Sequence, residues 1–322
     1  MIRKKGAMKD RLVTLVGGGG FLGRYIAQAL LAQGARVRVA ERDPRRAWYL
    51  KPLGGLGQTQ FVAADVTRPD TVTRAVQGSD AVVNLVGSFT GNLQRIHVAG
   101  AEAVAKAAAQ TGASALVHIS AIGADPHGDS RYACTKGEGE AAVRAAFPGA
   151  TILRPATVFG REDQFINRFA GMIATLPVVP VLKPGARFQP VFAGDVADAC
   201  VAALADPDAR GGHLYELGGP DVLTMMQLHK WIADAIGRHP RFAPLPDVAG
   251  GAIAALGFLP GAPISSDQWK LLQHDTVVSP GAEDLATLGV TPTPLDAVAP
   301  GWLVQYRRAG RFGARAAIDA AA

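Results

Sequence analysis

The chain has 322 residues, 48% of them hydrophobic and 19% charged, with a formal net charge of +6. This composition is that of an ordered protein long enough for one large α/β domain or a nucleotide domain with a smaller companion. Cys134 and Cys200 are the only cysteines, which excludes a disulfide framework and a cysteine-built metal site and points to a reducing, cytoplasmic location. Basic clusters at Arg3-Lys4-Lys5, Arg42 to Arg46 and Arg307 to Arg315 form no continuous face interleaved with aromatics, so nucleic acid is not an expected partner.

Residues 1–10 read as a basic extension without the apolar run of a secretory signal, and Met8 is a plausible native start. Leu12 to Val16 is an apolar run that turns through Gly17-Gly18-Gly19-Gly20-Phe21-Leu22-Gly23 into a helix expected over 21–33. Strand, glycine turn and helix in that order make a phosphate site. Gly17 permits the tight turn, Gly20 brings backbone N–H groups close to a pyrophosphate, and Gly23 lets the helix pack on the strand. The backbone of Gly19, Phe21 and Leu22 completes the helix N-terminus that faces the phosphates. Further strands are expected at 36–40, 59–64, 80–86, 115–119 and 150–154, and helices at about 69–77, 94–110 and 131–146. This alternation implies an α/β, Rossmann-type, doubly wound parallel sheet.

After Arg154-Pro155 the rhythm breaks into proline-rich sequence. Residues 11–155 are therefore read as the dinucleotide domain and 156–306 as a smaller C-terminal α/β lobe. Within the lobe, a stretch near 186–206 returns to the first domain, and 307–322 form a basic, Ala-rich tail. No stretch reaches the roughly 20 apolar residues of a membrane span. The nearest approach, Val248 to Leu259, is expected as a buried helix, with contact to a membrane surface or a partner as the alternative.

Position 41–42 bears on cofactor choice, because an acid after the second strand takes ribose hydroxyls whereas a nearby arginine takes a 2′-phosphate. Glu41-Arg42 offers both. Arg24 and Arg42, with Arg45 or Arg46, can converge on a phosphate, so NADP(H) is preferred and NAD(H) is the alternative. Taken singly, Arg45 and Arg46 read as an ordinary solvated helix start. Asp65 and Val66 close the third strand, where a carboxylate can accept from adenine and a valine can pack on it; a turn or N-cap aspartate is the other reading. Leu85, Val86 and Gly87 follow the fourth strand and would line the cofactor.

Tyr132 and Lys136 are one helical turn apart, and Ser120 closes the fifth strand. A lysine beside a phenol lowers its pKa for proton exchange, while a serine hydroxyl orients a substrate oxygen. Ser120, Tyr132 and Lys136 are therefore the candidate catalytic set.

With Gly17-x-x-Gly20-x-x-Gly23, Asp65-Val66, Ser120, Tyr132-x-x-x-Lys136, Arg154-Pro155, residues 189–197 and 215–220, the chain resembles the short-chain dehydrogenase/reductase superfamily. The likeness is to its extended, epimerase/dehydratase-like and atypical branch. Residues 20–25, 118–124 and Phe159-Gly160-Arg161-Glu162-Asp163-Gln164-Phe165-Ile166-Asn167-Arg168-Phe169 are most similar to the nucleotide-binding accessory subunit family of respiratory complex I and its bacterial relatives. The resemblance implies a tightly held NADP(H), with Gly17, Gly20, Gly23, Arg24 and Arg42 on its phosphates and Asp65 and Val66 at adenine. It places Tyr132, Lys136 and Pro155 on the nicotinamide side. It further implies a structural or assembly role, and a complex I assembly or the inner face of the plasma membrane as the docking partner. The intact Ser120, Tyr132 and Lys136 set supports the alternative of an active oxidoreductase or epimerase. His97 stands where many extended members carry asparagine and is expected to serve packing, with a proton-relay role as the alternative.

Overall fold

The computed structural model describes residues 8–259, 264–308 and 310. The basic clusters at Arg3 to Lys5 and at 311–315 lie outside the described residues.

Two compact units are present, the first comprising 8–155, Ala193–Leu217 and Val278–Thr291. Its core is a parallel sheet of β1 (Leu12–Val16), β2 (Arg36–Glu41), β3 (Thr59–Ala63), β4 (Ala81–Asn84), β5 (Ala115–Ile119), β6 (Thr151–Pro155) and a last strand, Leu214–Leu217. The spatial order is Leu214–Leu217, β6, β5, β4, β1, β2, β3. The central strands β1, β4 and β5 are short, largely apolar runs, and β4 and β5 are buried along their whole length, as strands covered on both faces must be.

The helices are α1 (Phe21–Ala32), α2 (Pro69–Val76), α3 (Gly100–Gln110) and α4 (Arg131–Ala146). From β1 the chain moves outward to β2 and β3, then returns to β4 on the other side of β1. Right-handed crossovers then put α1 on one face and α2, α3 and α4 on the other. Helix Ala193–Ala205 packs beside α1, and α3 packs between α2 and α4. The reversal of direction between β1 and β4 opens a crevice at the carboxyl ends of the strands. Val16, Ala40 and Asn84 stand level there.

Two features depart from simple periodicity. The helix expected over 94–110 opens as a π-helical segment, Gln94–Ala99, before α3. Here a Cβ at Gly139 would overlap the His97 carbonyl oxygen, and one at Gly100 would press on Val66; α4 and the end of β3 thus approach this turn closely. A 3-10 helix, Pro44–Leu53, follows β2, with Asp43 capping Arg45 N–H.

The second unit comprises Ala156–Phe192, Gly218–Val277 and 292–310. Helices Ile166–Thr175 and Met225–Ile236 pack together with strands Val178–Val181 and Arg241–Pro244 paired in parallel. Phe159, Ile166, Ile173, Leu228, Ile232 and Leu303 form the core. The motif around 159–169 is structural within this unit. Buried Asp163 accepts from the N–H groups of Gly160 (3.1 Å), Phe165 (2.9 Å), Ile166 (2.7 Å) and Asn167 (3.2 Å), satisfying the donors at the start of helix Ile166–Thr175. A glycine at 219 is equally forced, since a Cβ would overlap the Pro190 carbonyl oxygen.

The segment expected as a buried helix is a helix, Asp247–Ala255, but an exposed one. Val248 is 85% exposed, Phe258 79%, Leu256 55% and Leu259 48%. Only its inner side is packed: a Cβ at Gly250 would collide with the Trp269 ring.

Asp163→Ala leaves four backbone donors without their acceptor and should destabilise the second unit by about 2–3 kcal/mol. Urea unfolding followed by tryptophan fluorescence reads this directly; a change below about 0.5 kcal/mol would mean that other acceptors serve those donors.

Candidate nucleotide site

All the site residues expected from sequence belong to the first unit. Gly17 has φ +80°, and its N–H donates to the Ala40 carbonyl (2.9 Å). A Cβ at Gly23 would overlap the Gly18 carbonyl, which seats α1 against the turn. Gly20 is different: a Cβ there meets no protein atom nearer than 3.6 Å, so its missing side chain leaves open space beside the helix end. Among the described residues no side chain caps α1, which starts at Phe21 and Leu22 directly after Gly20. An open glycine beside an uncapped helix start fits a pyrophosphate.

Glu41, at the end of β2, accepts from Gly19 N–H (2.7 Å). The Tyr49 hydroxyl donates to the Gly19 carbonyl (3.1 Å), and the Arg24 guanidinium lies 4.3 Å above the Tyr49 ring. Arg42 is exposed. Arg45 is turned back onto Asp43 (2.9 Å), so it serves the start of the 3-10 helix. Asp65 uses Oδ1 to accept from both the N–H and the hydroxyl of Thr67 (2.9 Å each). The Thr67 N–H bond holds its carboxyl below the usual range, with Arg42 and Arg68 adding to the effect. Val66 lies beside it, against Gly100.

Past β4, Leu85 N–H donates to the Val16 carbonyl (2.9 Å) and Val86 N–H to Asn84 Oδ1 (3.1 Å). Gly87 faces the Lys136 ammonium. The Asn84 amide is thereby oriented, and its Nδ2 donates to His118 Nδ1 (3.1 Å). That fixes the proton of buried His118 on Nε2, which has no partner among the described residues. Burial drives its pKa well below the ordinary value.

His97 is fixed in the same way. Ser88 N–H donates to its Nε2 (3.0 Å), so Nδ1 carries the proton and donates to Thr135 Oγ1 (2.9 Å). A backbone N–H can only donate, which leaves one neutral tautomer. Burial, assisted by the Lys136 charge, lowers its pKa to about 4. His97 therefore ties the 87–90 loop to α4.

Lys136 is buried and donates to the Ile119 carbonyl (2.8 Å). Burial lowers its pKa to about 8, against an opposing pull from Glu140. The Tyr132 ring stacks under Phe89 at 4.4 Å and meets the edge of His97 at 5.4 Å. Lack of solvation pushes its phenol up to about 12, so burial governs this hydroxyl. The Ser120 hydroxyl donates to Glu140 Oε1 at 2.5 Å. Glu140 is 1% exposed and is gripped by Arg154 through two bonds, Nε to Oε1 (2.8 Å) and Nη2 to Oε2 (2.9 Å). Arg154 also lies 3.7 Å from Glu216, whose other oxygen accepts from Ser279 N–H (2.7 Å). Pro155 ends β6, its carbonyl accepting from Ile122 N–H (3.0 Å).

Glu140, Tyr49 and Phe89 escape the reading of the sequence. Glu140 had a signal, since it follows Lys136 by one helical turn and Arg154 needs an acidic partner. Tyr49 sits in a 3-10 helix and Phe89 in a loop, where spacing predicts no facing partner.

An open glycine turn at the switch point of a seven-stranded parallel sheet, with Ser, Tyr and Lys at the ends of β5 and α4, defines a dinucleotide-binding α/β protein. Residues 13–218 match the NAD dependent epimerase/dehydratase family, and the chain belongs to it. It is 35% identical to NADH dehydrogenase (ubiquinone) 1 alpha subcomplex subunit 9, mitochondrial, of Arabidopsis thaliana, over 94% of this chain and 80% of that one. Ceramide reductase of Caulobacter vibrioides is 30% identical over 78% of this chain and 80% of that one. The NADPH-dependent quinone oxidoreductase QOR2 of Escherichia coli, complexed with NADPH, shares the fold, with TM-score 0.71 and 19% identity over 90% of this chain and 99% of that one.

The depressed His97 pKa sets a pH dependence. As pH falls through 6.5 the unfolded chain binds the proton first, so stability present above 6.5 is lost down to about 4. This share is roughly 3 kcal/mol. His97→Gln keeps an acceptor for Ser88 N–H without titrating, and should lose correspondingly less stability between neutral and acid pH in urea titrations. Equal losses in the two proteins would show that His97 does not stay neutral in the fold.

Proposed function

We propose that this protein holds NADP(H) on its first unit as a bound structural group, and that its second unit docks on a membrane-associated respiratory assembly at the inner face of the plasma membrane. The observation that carries the holding role is the commitment of the Ser120 hydroxyl to the protein itself. Ser120 donates its hydrogen bond to Glu140, and Lys136 spends one of its three donors on the Ile119 carbonyl. A serine whose proton is held by a buried carboxylate is not available to donate to a carbonyl oxygen.

When bound, the nucleotide supplies hydride-transfer chemistry. The backbone from Gly17 to Gly23 would hold its pyrophosphate, Asp65 and Val66 its adenine, and Leu85, Val86, Gly87, Tyr132, Lys136 and Pro155 its nicotinamide side. Arg24 and Arg42 favour a 2′-phosphate, while the Glu41 carboxylate is drawn onto Gly19 N–H. Docking is supported by the similarity to complex I subunits and by the exposed apolar residues Val248, Leu256, Phe258 and Leu259, whose segment 248–259 carries no charge.

A second reading, a reductase acting on a lipid carbonyl, is favoured by the presence of Ser120, Tyr132 and Lys136 together and by the likeness to a protein named ceramide reductase.

Purification from native membranes followed by nucleotide extraction and mass spectrometry tests the proposal. NADP(H) should copurify stoichiometrically, and a Leu256→Asp, Phe258→Asp double variant should leave the membrane fraction while keeping its nucleotide. Recovery of NAD(H) alone, or unchanged membrane partition of the variant, would count against it.

A further inference from the structure

We infer that Tyr49 is a specificity-determining residue for the adenosine end of the cofactor, acting by presetting Arg24 for a ribose phosphate; this rests on the reading that the first unit binds NADP(H). Tyr49 belongs to the 3-10 helix that follows β2, outside the glycine motif. It nonetheless makes two separate contacts with that motif. Its hydroxyl donates to the Gly19 carbonyl (3.1 Å), and its ring carries the Arg24 guanidinium at 4.3 Å. Gly19 is thereby held at both ends of its amide pair, because Glu41 takes its N–H at 2.7 Å.

Two opposing charges lie around Gly19, Glu41 at the end of β2 and Arg24 on α1. Glu41 is an acceptor suited to ribose hydroxyls and repels a phosphate, whereas Arg24 attracts one. Bound to Gly19 N–H, Glu41 has one oxygen occupied by a backbone donor. Arg24 is a long side chain that would otherwise lose rotamer freedom on meeting a phosphate. Stacking on an aromatic face places its planar fork beforehand, and so lowers that cost. Tyr49 is 40% exposed, so the stack is open to an arriving ligand, and a nucleotide lacking the 2′-phosphate gains nothing from it.

The ring and the hydroxyl are separable by mutation. Tyr49→Phe keeps the platform and loses the Gly19 bond, while Tyr49→Ala loses both. Displacement of the copurified nucleotide by 2′,5′-ADP, 5′-AMP, NADPH or NADH, followed by mass spectrometry of what stays bound, measures the discrimination without any turnover. The wild-type chain should bind 2′,5′-ADP and NADPH more tightly than their counterparts. Tyr49→Ala should reduce that preference about three- to tenfold, with the affinity for 5′-AMP and NADH altered much less. Tyr49→Phe should retain the preference even if both nucleotides weaken together. A wild-type preference that survives intact in Tyr49→Ala would overturn the role of Tyr49 while leaving the NADP(H) reading standing. No preference in the wild-type chain would instead overturn the NADP(H) reading itself. Thermal melts of the two variants check that the fold is kept; equal loss of preference in Phe and Ala would assign the effect to the Gly19 bond and against the Arg24 platform.

Discussion

The buried carboxylate of Glu140 is the group on which the candidate site depends. A carboxylate at 1% exposure is costly to bury unless it is paired and hydrogen-bonded. Here Arg154 supplies two charge-assisted bonds and Ser120 a third. Removing one partner of such a pair costs about 3–5 kcal/mol, because the other is left charged and unpaired. The cluster therefore fastens α4 to the ends of β5 and β6, and through Glu216 to the last strand of the sheet. The same bonds that make Glu140 tolerable also occupy the hydroxyl that a reductase would use.

Lys136 and His97 obey the same constraint of satisfying buried polar groups. Lys136 sits one turn before Glu140 and spends a donor on a backbone carbonyl, while burial lowers its affinity for the proton. The neutral His97 bridges Ser88 N–H to Thr135 and lies edge-on to Tyr132. Phe89 covers the other side of the phenol. The region round Tyr132 is thus organised by packing and fixed hydrogen bonds, and its phenol is kept protonated by the same lack of water.

The sheet was legible because a buried parallel strand must be a short apolar run between turns. Leu12–Val16 and Ala115–Ile119 carry that pattern undisguised. The glycine turn was legible because Gly17 and Gly23 fill places where a side chain would be strained or would overlap backbone. The π turn at Gln94–Ala99 was not, since the cause lies in the close approach of Gly139 to His97, a contact between segments distant in sequence. The direction of the Ser120 hydroxyl was likewise hidden: a residue's type shows that it can donate, and only its neighbours show to what. In 248–259 the apolar character was plain and the burial inferred from it was not, because among the described residues most of that segment has no covering element.

The nucleotide is either held or consumed. The direct measurement is single-turnover absorbance of the NADPH-loaded chain mixed with long-chain keto-lipids and with small carbonyl compounds. A constant NADPH signal throughout, with the nucleotide still bound when the protein is recovered, is the outcome the account predicts. A stoichiometric burst of NADPH oxidation that disappears in Ser120→Ala and Tyr132→Phe would contradict it.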